Sequence, residues 1–377
     1  MVKKRGHNEG GVTELPDGRW QGRVTVGYKD GKQVRKAVYG KTRAEAAAAV
    51  TNILANMQKG IQPGNDRTTV NRFLDDWLIG KEPAVRPTTY RSYKDTVTLH
   101  VMPHIGHIVL TRLSPTDVQK MMRALTSGGA KPPTVRYAVR VLRIALNDAA
   151  RMELIGRNAA ALVKPPKAEK HRVVPLTLEQ ATKLLEKASD DRMEGIYVLA
   201  VALGLRQGEL LGLAWNDISL DAGTLTVRAQ LQRRDGKMQR VALKTEESRR
   251  TLALPAVVLA ALRRQRTRQK EARLLAGSRW QETDYVFTST IGTPIDARNL
   301  IRKYHDALQR AELPSARFHD LRHSAASILL AMGASLHEIK EALGHSRIGT
   351  TSDVYAHLLD SVRKETAARM DRAFGGA

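Results

Sequence analysis

The sequence contains no cysteine among its 377 residues, and aromatic residues make up only 5% of it. The first absence excludes disulfides, cysteine-ligated zinc and thiol catalysis. The second means that the cores must be built from aliphatic side chains. No apolar run reaches the roughly 18 residues that a membrane span needs. The basic start MVKKRGHNEGG is not followed by the apolar segment of a secretory signal. We therefore expect an intracellular protein with no membrane partner.

Acidic residues are scarce beside basic ones: 38 Asp and Glu against 62 Lys and Arg give a formal net charge of +24. So large an excess makes a compact chain repel itself unless a polyanion neutralises it. Nucleic acid is the commonest such partner. A solvated basic surface is the alternative that charge alone leaves open. The length of the chain favours two or three domains.

Residues 11–39 carry the pattern of a small sheet. Asp-Gly pairs at 17–18 and 30–31 are hairpin turn signals. Apolar and polar residues alternate between these turns, which predicts a strand with one buried face. The positions assigned to the buried face are Trp20, Gly22, Val24, Val26 and Tyr28.

A helix is predicted to follow this sheet. Thr42 can cap it, Glu45 completes a capping box, and an Ala-rich run extends it to about Lys59. Basic residues on or near the sheet suit a β face that enters a DNA groove, although a solvated sheet face fits the spacing equally well. These residues are Arg23, Arg35, Lys36 and Lys41. Residues 1–62 are the predicted first domain.

A second, helical domain is predicted for residues 67–160. Its first helix has an apolar stripe made of Val70, Phe73, Leu74, Trp77 and Leu78. Further helices are expected from about Thr88, from the cap and proline at Ser114-Pro115, and over about 133–152. The last of these helices carries basic residues suited to phosphate contact, or merely to solvent. They are Arg136, Arg140 and Arg143.

A third domain, 176–377, is predicted after a proline-containing linker at 161–175. It is mostly helical, with two strands at 224–227 and 250–254, and it ends in an amphipathic helix. The predicted fold is therefore α+β and multidomain: a three-stranded sheet with one helix, a helical bundle, and a mainly α domain with a small antiparallel sheet.

Candidate catalytic residues lie in the third domain. Arg206 occurs in the mainly apolar stretch LGLRQGELLGLAWNDI, and a buried arginine needs a partner. Glu209 follows three residues later on the same helical face and can orient the guanidinium group, leaving its other donors for a phosphate. A purely structural ion pair is the alternative.

Two further motifs follow along the chain. His319 and Arg322 are three apart in FHDLRHSAAS, on one side of a predicted helix that continues to Met332, and Asp320 is assigned as a helix-start residue. His345 and Tyr355 occur in LGHSRIGTTSDVYAHL. Taken singly, each residue would be read as a packing residue, and three other histidines are assigned to structure. Those three are His323, His337 and His357.

Together with Lys244 in KTEESRRTLALP, these residues resemble the active-site signature of tyrosine recombinases of the phage-integrase type. The resemblance covers about 173–360, in the expected order. The helical domain resembles the core-site-binding domain of that family, and residues 1–60 resemble its arm-site-binding domain. The resemblance implies a site-specific recombinase that cleaves and rejoins DNA through a 3′-phosphotyrosine intermediate, and so integrates and excises a phage or other mobile element.

The residue types suit this chemistry. Tyr355 is the expected nucleophile, His319 its general base, and Lys244, expected near the tip of a hairpin between the two strands, the general acid. Arg206 and Arg322 can each donate two parallel hydrogen bonds to the scissile phosphate, and His345 adds a further donor. We expect no metal and no other cofactor, because the arginines take the place of a metal ion and few carboxylates lie near the motifs. Those carboxylates are Glu209, Asp217 and Asp320.

The resemblance also implies partners. It implies double-stranded DNA with core and arm sites, a homotetramer on that DNA, a DNA-bending host factor and an excisionase, all in the cytoplasm at the bacterial nucleoid. The C-terminal helix docks either on a neighbouring protomer or on its own domain. Three alternatives stay open: a resolvase of chromosome or plasmid dimers, a type IB topoisomerase, and a DNA-binding regulator that is not an enzyme.

Overall fold

A computed structural model describes residues 11–29, 32–58, 67–167, 173–234, 236–243 and 248–344, together with residues 371 and 374. The chain divides into two compact units, Met1–Lys170 and His171–Ala377. The division falls within the stretch that the sequence predicts as a linker, 161–175. Each unit has its own hydrophobic core.

The first unit begins with an antiparallel three-stranded sheet of order β1-β2-β3. The strands are β1 (Gly11–Glu14), β2 (Trp20–Lys29) and β3 (Lys32–Gly40), and helix α1 (Arg43–Gln58) follows. The Thr42 hydroxyl accepts the Glu45 amide at 3.2 Å and the Glu45 carboxylate accepts the Lys41 amide at 2.7 Å, so the N-terminus of α1 is capped reciprocally. The predicted sheet and helix are confirmed.

The predicted alternation along β2 holds only as far as a β-bulge. Val24 is buried, as is Val50 of α1. Thr25 pairs with Arg35 but Gly27 pairs with Val34, so one extra residue of β2 lies between these pairs. Because an inserted residue shifts the alternation beyond it, the single alternation predicted from Trp20 to Tyr28 does not continue past Thr25 in the backbone register. The turn predicted at 30–31 lies outside the described residues.

After α1, the described part of the first unit contains five further α-helices, one of which is a single turn. They are α2 (Val70–Lys81), α3 (Pro87–Thr96), α4 (Met102–Ile105), α5 (Pro115–Ser127) and α6 (Pro132–Arg151). A π-helical stretch, Val97–Val101, joins α3 to α4, and 3₁₀ turns lie at Leu110–Arg112 and Ala159–Leu162. Proline occupies the first turn of α3, α5 and α6, where its missing N–H costs nothing.

The sequence patterns of this bundle are confirmed. All five residues of the predicted α2 stripe are buried. Ser114 caps α5 in a capping box with Asp117, as the Ser-Pro signal predicts. Along α6 the buried residues recur every three to four positions, which leaves Arg136 and Arg140 on the exposed face.

The second unit is mainly helical around one core. Its helices are α7 (Leu178–Lys187), α8 (Glu194–Leu203), α9 (Gln207–Leu211), α10 (Ala256–Ala276), α11 (Ala297–Arg310), α12 (Asp320–Ala331) and α13 (Leu336–Leu343). Helix α8 is buried along almost its whole length, consistent with its nearly continuous apolar sequence. No helix among the described residues is both long and apolar enough to cross a membrane.

The strands of the second unit form two small sheets. Strands β4 (Ile218–Ser219), β5 (Thr224–Val227) and β8 (Arg250–Ala253) form one sheet of order β4-β5-β8, and β6 (Ala229–Arg234) pairs with β7 (Lys237–Ala242) in a second. Both predicted strands, β5 and β8, are confirmed as antiparallel partners. The β6–β7 hairpin is not predicted.

The hairpin between β5 and β8 is extended by β6 and β7, and it turns at about residues 234–237, where Arg234 pairs with Lys237. Strand β7 ends at Ala242. Lys244, which the sequence predicts near the tip of a hairpin between β5 and β8, lies outside the described residues.

A charged cluster around Asp148 ties the first helix of the bundle to the last. The Trp77 indole donates to the Asp148 carboxylate at 2.8 Å, Lys81 lies 2.9 Å from it, and Arg151 donates to its other oxygen. Burial pushes the pKa of Asp148 upward, but these three donors outweigh burial and hold the pKa at about 2.

Asp148→Asn should remove an acid-sensitive part of the stability of the bundle. The pKa is depressed from its ordinary value of 3.8 to about 2. The stabilisation is therefore complete above about pH 4 and is lost as the pH falls towards 2, by about 2 kcal/mol. Urea unfolding at pH 7 and pH 3, with hydrogen exchange of α2 peptides as the local probe, measures this loss. Equal losses in the wild type and the variant would contradict it.

Candidate active site

Arg206 stands at the junction of two helices. Gly204 ends α8 with a left-handed φ of 59°, and Arg206 follows as the extended residue before α9. Its Nη1 donates to Glu209 Oε1 at 2.7 Å and its backbone amide donates to Glu209 Oε2 at 3.1 Å. The two side chains meet as the sequence suggests, but Arg206 is the residue before the first turn of α9, so it does not share a helical face with Glu209.

Glu209 is shared with a second arginine that the sequence analysis misses. Its side chain is 3% exposed, and Arg250 of β8 donates to Oε2 at 3.0 Å. Burial raises the pKa of Glu209, but the charges and hydrogen bonds of Arg250 and Arg206 reverse that effect and leave the pKa below its usual value. Glu209 is therefore ionised at neutral pH.

Arg322 lies near Arg206 and is more deeply buried. It is the third residue of α12 and is buried, 3% exposed. Its Nη1 donates to the carbonyl of Gly204 at 2.7 Å and its Nη2 to the carbonyl of Leu343 at 2.6 Å. Through these bonds Arg322 joins the end of α8 to the end of α13.

Three arginines converge on the last carbonyls of α13. Arg250 Nε donates to Ala342 at 3.1 Å, Arg322 Nη2 to Leu343, and Arg206 Nη2 to Gly344 at 3.0 Å. Helix C-terminal carbonyls have no partner within their own helix and carry a partial negative charge, so they are good acceptors for guanidinium groups. The structure thus brings Arg206 and Arg322 together, although 116 positions of sequence separate them.

The resulting cluster has excess positive charge. The guanidinium groups of Arg206 and Arg250 share the carboxylate of Glu209, and that of Arg322 binds backbone carbonyls beside them. Arg206 is the most open of the three, with 37% of its side chain exposed. An open arginine backed by further buried cations favours an anion such as a phosphate group.

His319 lies at the start of α12 beside these arginines. It is exposed, and its ring meets that of His323 edge to face with centroids 5.5 Å apart. Partial desolvation lowers the pKa of His319 below its usual 6.5, and the charges of Arg322 and Arg206 lower it further. The imidazole is therefore neutral at pH 7 and is able to accept a proton.

Asp320 occupies the helix-start position assigned to it from the sequence. It is the first residue of α12, is 6% exposed, and its carboxylate accepts the amide of Arg317 at 3.1 Å. It also moderates the lowering of the pKa of His319. Within the described ranges, no group of three or more His, Asp or Glu side chains is arranged to hold a metal ion.

Three of the six predicted catalytic residues lie outside the described residues: Lys244, His345 and Tyr355. The other three, Arg206, His319 and Arg322, lie together. His345 follows Gly344 directly in the chain, so the segment that carries His345 and Tyr355 begins at the carbonyls that the arginines hold.

The predicted DNA-contact residues of the sheet do not share one face. Arg23 pairs with Ala37 and Arg35 with Thr25, one position out of phase with buried Val24, so both arginines lie on the face away from α1. Lys36 pairs with Val24 and so points to the α1 side. Lys41 is exposed just after β3.

The predicted basic stripe of α6 borders a cleft of about 480 Å³. Its lining residues are Pro133, Arg136, Tyr137, Val139, Arg140, Arg143 and Pro165. Arg143 differs from the other two arginines because its guanidinium donates to the carbonyls of Ala160, at 3.0 and 3.2 Å, and Val163, at 3.3 Å. Part of its donor set therefore holds the chain that leaves the bundle.

Comparison with known proteins agrees with this geometry. The profile of the phage integrase family matches residues 176–361, and that of the phage integrase N-terminal SAM-like domain matches 69–125. An integrase of Saccharopolyspora erythraea is 30% identical over 437 residues, covering 100% of both chains.

Two solved structures share the fold. The Tn1549 transposon integrase in complex with transposon right end DNA superposes with a TM-score of 0.67 at 21% identity, over 80% of this chain and 99% of that one. The lambda integrase tetramer bound to a Holliday junction gives 0.56 at 18% identity, over 89% and 95%. With a relative 30% identical along its full length, the chain belongs to the phage integrase family and is a tyrosine site-specific recombinase.

Proposed function

We propose that this recombinase integrates and excises a phage or other mobile element by cleaving and rejoining DNA through Tyr355. The observation that carries the proposal is the convergence of Arg206 and Arg322 on the C-terminus of α13, beside His319. This cluster has the charge and the donors to hold a phosphate. It also contacts Gly344, the residue directly before the segment that contains His345 and Tyr355.

The proposed reaction exchanges one phosphate ester for another. The Tyr355 oxygen attacks phosphorus, the bond from phosphorus to the 5′ oxygen breaks, and a 3′-phosphotyrosyl link forms. His319 takes the phenolic proton, and Lys244 gives a proton to the departing 5′ oxygen. Attack by a 5′-hydroxyl on the phosphotyrosine reverses these steps and reseals the strand, so the exchange needs no ATP.

Arg206 and Arg322 have different parts in this proposal. The Arg206 side chain is exposed enough to donate to a nonbridging oxygen. Arg322 is buried, adds positive charge, and binds the carbonyls of Gly204 and Leu343. A preorganised donor to a developing phosphorane typically lowers the barrier by roughly 3 kcal/mol. His345 is the further donor that we assign to the same phosphate.

The three other parts of the chain are assigned to DNA binding and connection. Residues 67–160 form the core-site-binding domain, with Arg136 and Arg140 on the exposed face of α6 as phosphate contacts. Residues 1–62 form the arm-site-binding domain, with the open sheet face that carries Arg23 and Arg35 towards the groove. Residues 161–175 link them to the catalytic domain, 176–377.

The proposed assembly is a homotetramer on two DNA sites. The lambda integrase, which shares the fold, forms a tetramer on a Holliday junction, and four active sites are needed to exchange four strands. We assign a DNA-bending host factor and an excisionase as accessory partners, and the bacterial nucleoid as the place of action, because the proposed substrate is chromosomal DNA.

Tyr355→Phe should abolish covalent protein–DNA adducts and leave DNA binding intact, because only the nucleophilic oxygen is removed. Sheared total DNA of the encoding organism is incubated with the protein, denatured, and the protein-linked ends are sequenced. Tyr304→Phe is the control: Tyr304 is buried, and its hydroxyl has no hydrogen-bond partner among the described residues. Adducts that survive Tyr355→Phe would contradict the assignment of the nucleophile.

The rate of cleavage at low DNA concentration should fall as the pH drops through the pKa of His319. Only the neutral imidazole accepts a proton, and kcat/KM reports the free enzyme. Because that pKa lies below 6.5, the rate should be insensitive to pH near 7. An NMR titration of His319 gives the midpoint directly. His337→Ala, at an exposed histidine 3.3 Å from Glu341, should keep the profile, whereas His319→Ala should remove this limb.

DNA affinity should depend steeply on salt. If about eight phosphates are neutralised, the logarithm of affinity falls with a slope near −7 against the logarithm of salt concentration. Fluorescence anisotropy with a labelled duplex measures this slope. Arg136→Gln and Arg140→Gln should each make the slope shallower by about one. A flat response in the wild type would contradict a role for the net charge of +24 in DNA binding.

A further inference from the structure

Arg250 is not among the six residues proposed for catalysis, yet its guanidinium group contacts three elements at once. Its Nη2 donates to Glu209 at 3.0 Å, its Nε to the carbonyl of Ala342 at 3.1 Å, and its Nη1 to the carbonyl of Ser248 at 3.2 Å. The side chain is only 8% exposed. Each of its three nitrogens therefore has a partner within the protein.

Each partner leads to a different group of the proposed active site. Glu209 orients Arg206 through a 2.7 Å bond. Ala342 belongs to the last turn of α13, three positions before His345, and Ser248 comes four positions after Lys244. Arg250 thus connects Arg206 to Ser248, which follows Lys244 in the sequence, and to Ala342, which precedes His345.

We propose that Arg250 is a positioning residue for DNA strand cleavage: it holds Arg206, through Glu209, in a fixed place relative to Ser248 and the last turn of α13. This inference rests on the proposed function. Arg250 does not itself touch the phosphate in this assignment: it acts through Glu209 and through backbone carbonyls.

Only an arginine meets all three demands. A guanidinium group presents donors in one rigid plane, whereas a lysine ammonium is a single point charge on a flexible stem. The packing is equally restrictive, because a Cβ placed on Gly344 would lie 2.9 Å from Arg250 Nη1. The guanidinium group of Arg250 is therefore in close contact with the C-terminal end of α13.

The same unit offers a matched control in Arg268. One nitrogen of Arg268 donates to Glu194 at 2.6 Å, and the group also donates to the carbonyls of Ser189 and Asp191, at 2.7 and 3.3 Å. Glu194 is as buried as Glu209 and is likewise shared with a second arginine, Arg264. None of these bonds involves a proposed catalytic residue.

The test uses the full chain and a nicked duplex carrying the sequence recovered from the trapped adducts. Cleavage is followed in a single turnover at saturating protein, and affinity is measured separately. Arg250→Gln should lower the cleavage rate constant by about 100-fold, the loss expected from misplacing a reacting group by about 1 Å, with unchanged affinity for the duplex. Arg268→Gln should lower the melting temperature comparably and keep the wild-type rate constant.

Arg250→Lys separates positioning from simple loss of charge. It keeps the positive charge but reaches fewer of the three acceptors, so its rate constant should lie between those of the wild type and Arg250→Gln. If Arg250→Gln does not fold, Arg250→Lys is compared with Arg268→Lys in the same assay.

Three outcomes would overturn the inference. A wild-type rate constant in the Arg250 variants would show that the residue has no part in positioning. An equally slow Arg268 variant would show a general effect of lost stability. Absence of any adduct with the wild-type protein would overturn the proposed function, and this inference with it, whereas the first two outcomes leave the proposed function standing.

Discussion

The shared carboxylate of Glu209 is the charge on which the arrangement of the active site depends. Buried charges are tolerated only when they are paired and hydrogen-bonded, and Glu209 provides that pairing for Arg250 while it also orients Arg206. One carboxylate between two guanidinium groups pairs both of them and leaves a net positive charge. The positive charge that remains is available to a substrate. Stability of the fold and affinity for an anion thus come from the same small group of side chains.

The C-terminus of α13 belongs to the same arrangement. Helix ends must find partners for their last carbonyls, and here three arginines from distant stretches of sequence supply them. A requirement that every helix faces is therefore met by groups that also bind the substrate in the proposed mechanism. This explains how the chain brings together residues from α9, β8, α12 and α13.

Patterns of local periodicity were sufficient to predict much of this structure. The apolar stripe of α2, the cap at Ser114 and the strands β5 and β8 all follow from spacing and turn chemistry, and the family motifs identified Arg206, His319 and Arg322. What failed depends on neighbours far away in sequence. The β6–β7 hairpin has few apolar residues to mark an alternation, the bulge in β2 is invisible to a pattern of period two, and the role of Arg250 arises from the register of β8 beside α9 and α13.

Gly344 shows how little freedom the junction before His345 has. Its φ of +64° is unfavourable for any residue with a Cβ, and the adjacent guanidinium group fills the space that a side chain would need. Removing the contact with the guanidinium group leaves the unfavourable φ of this position unchanged, and the reverse is also true. A single change elsewhere in the chain therefore does not make a larger residue acceptable at position 344. Backbone sterics consequently fix the conformation of Gly344 at the C-terminus of α13, before any contact with a substrate is made.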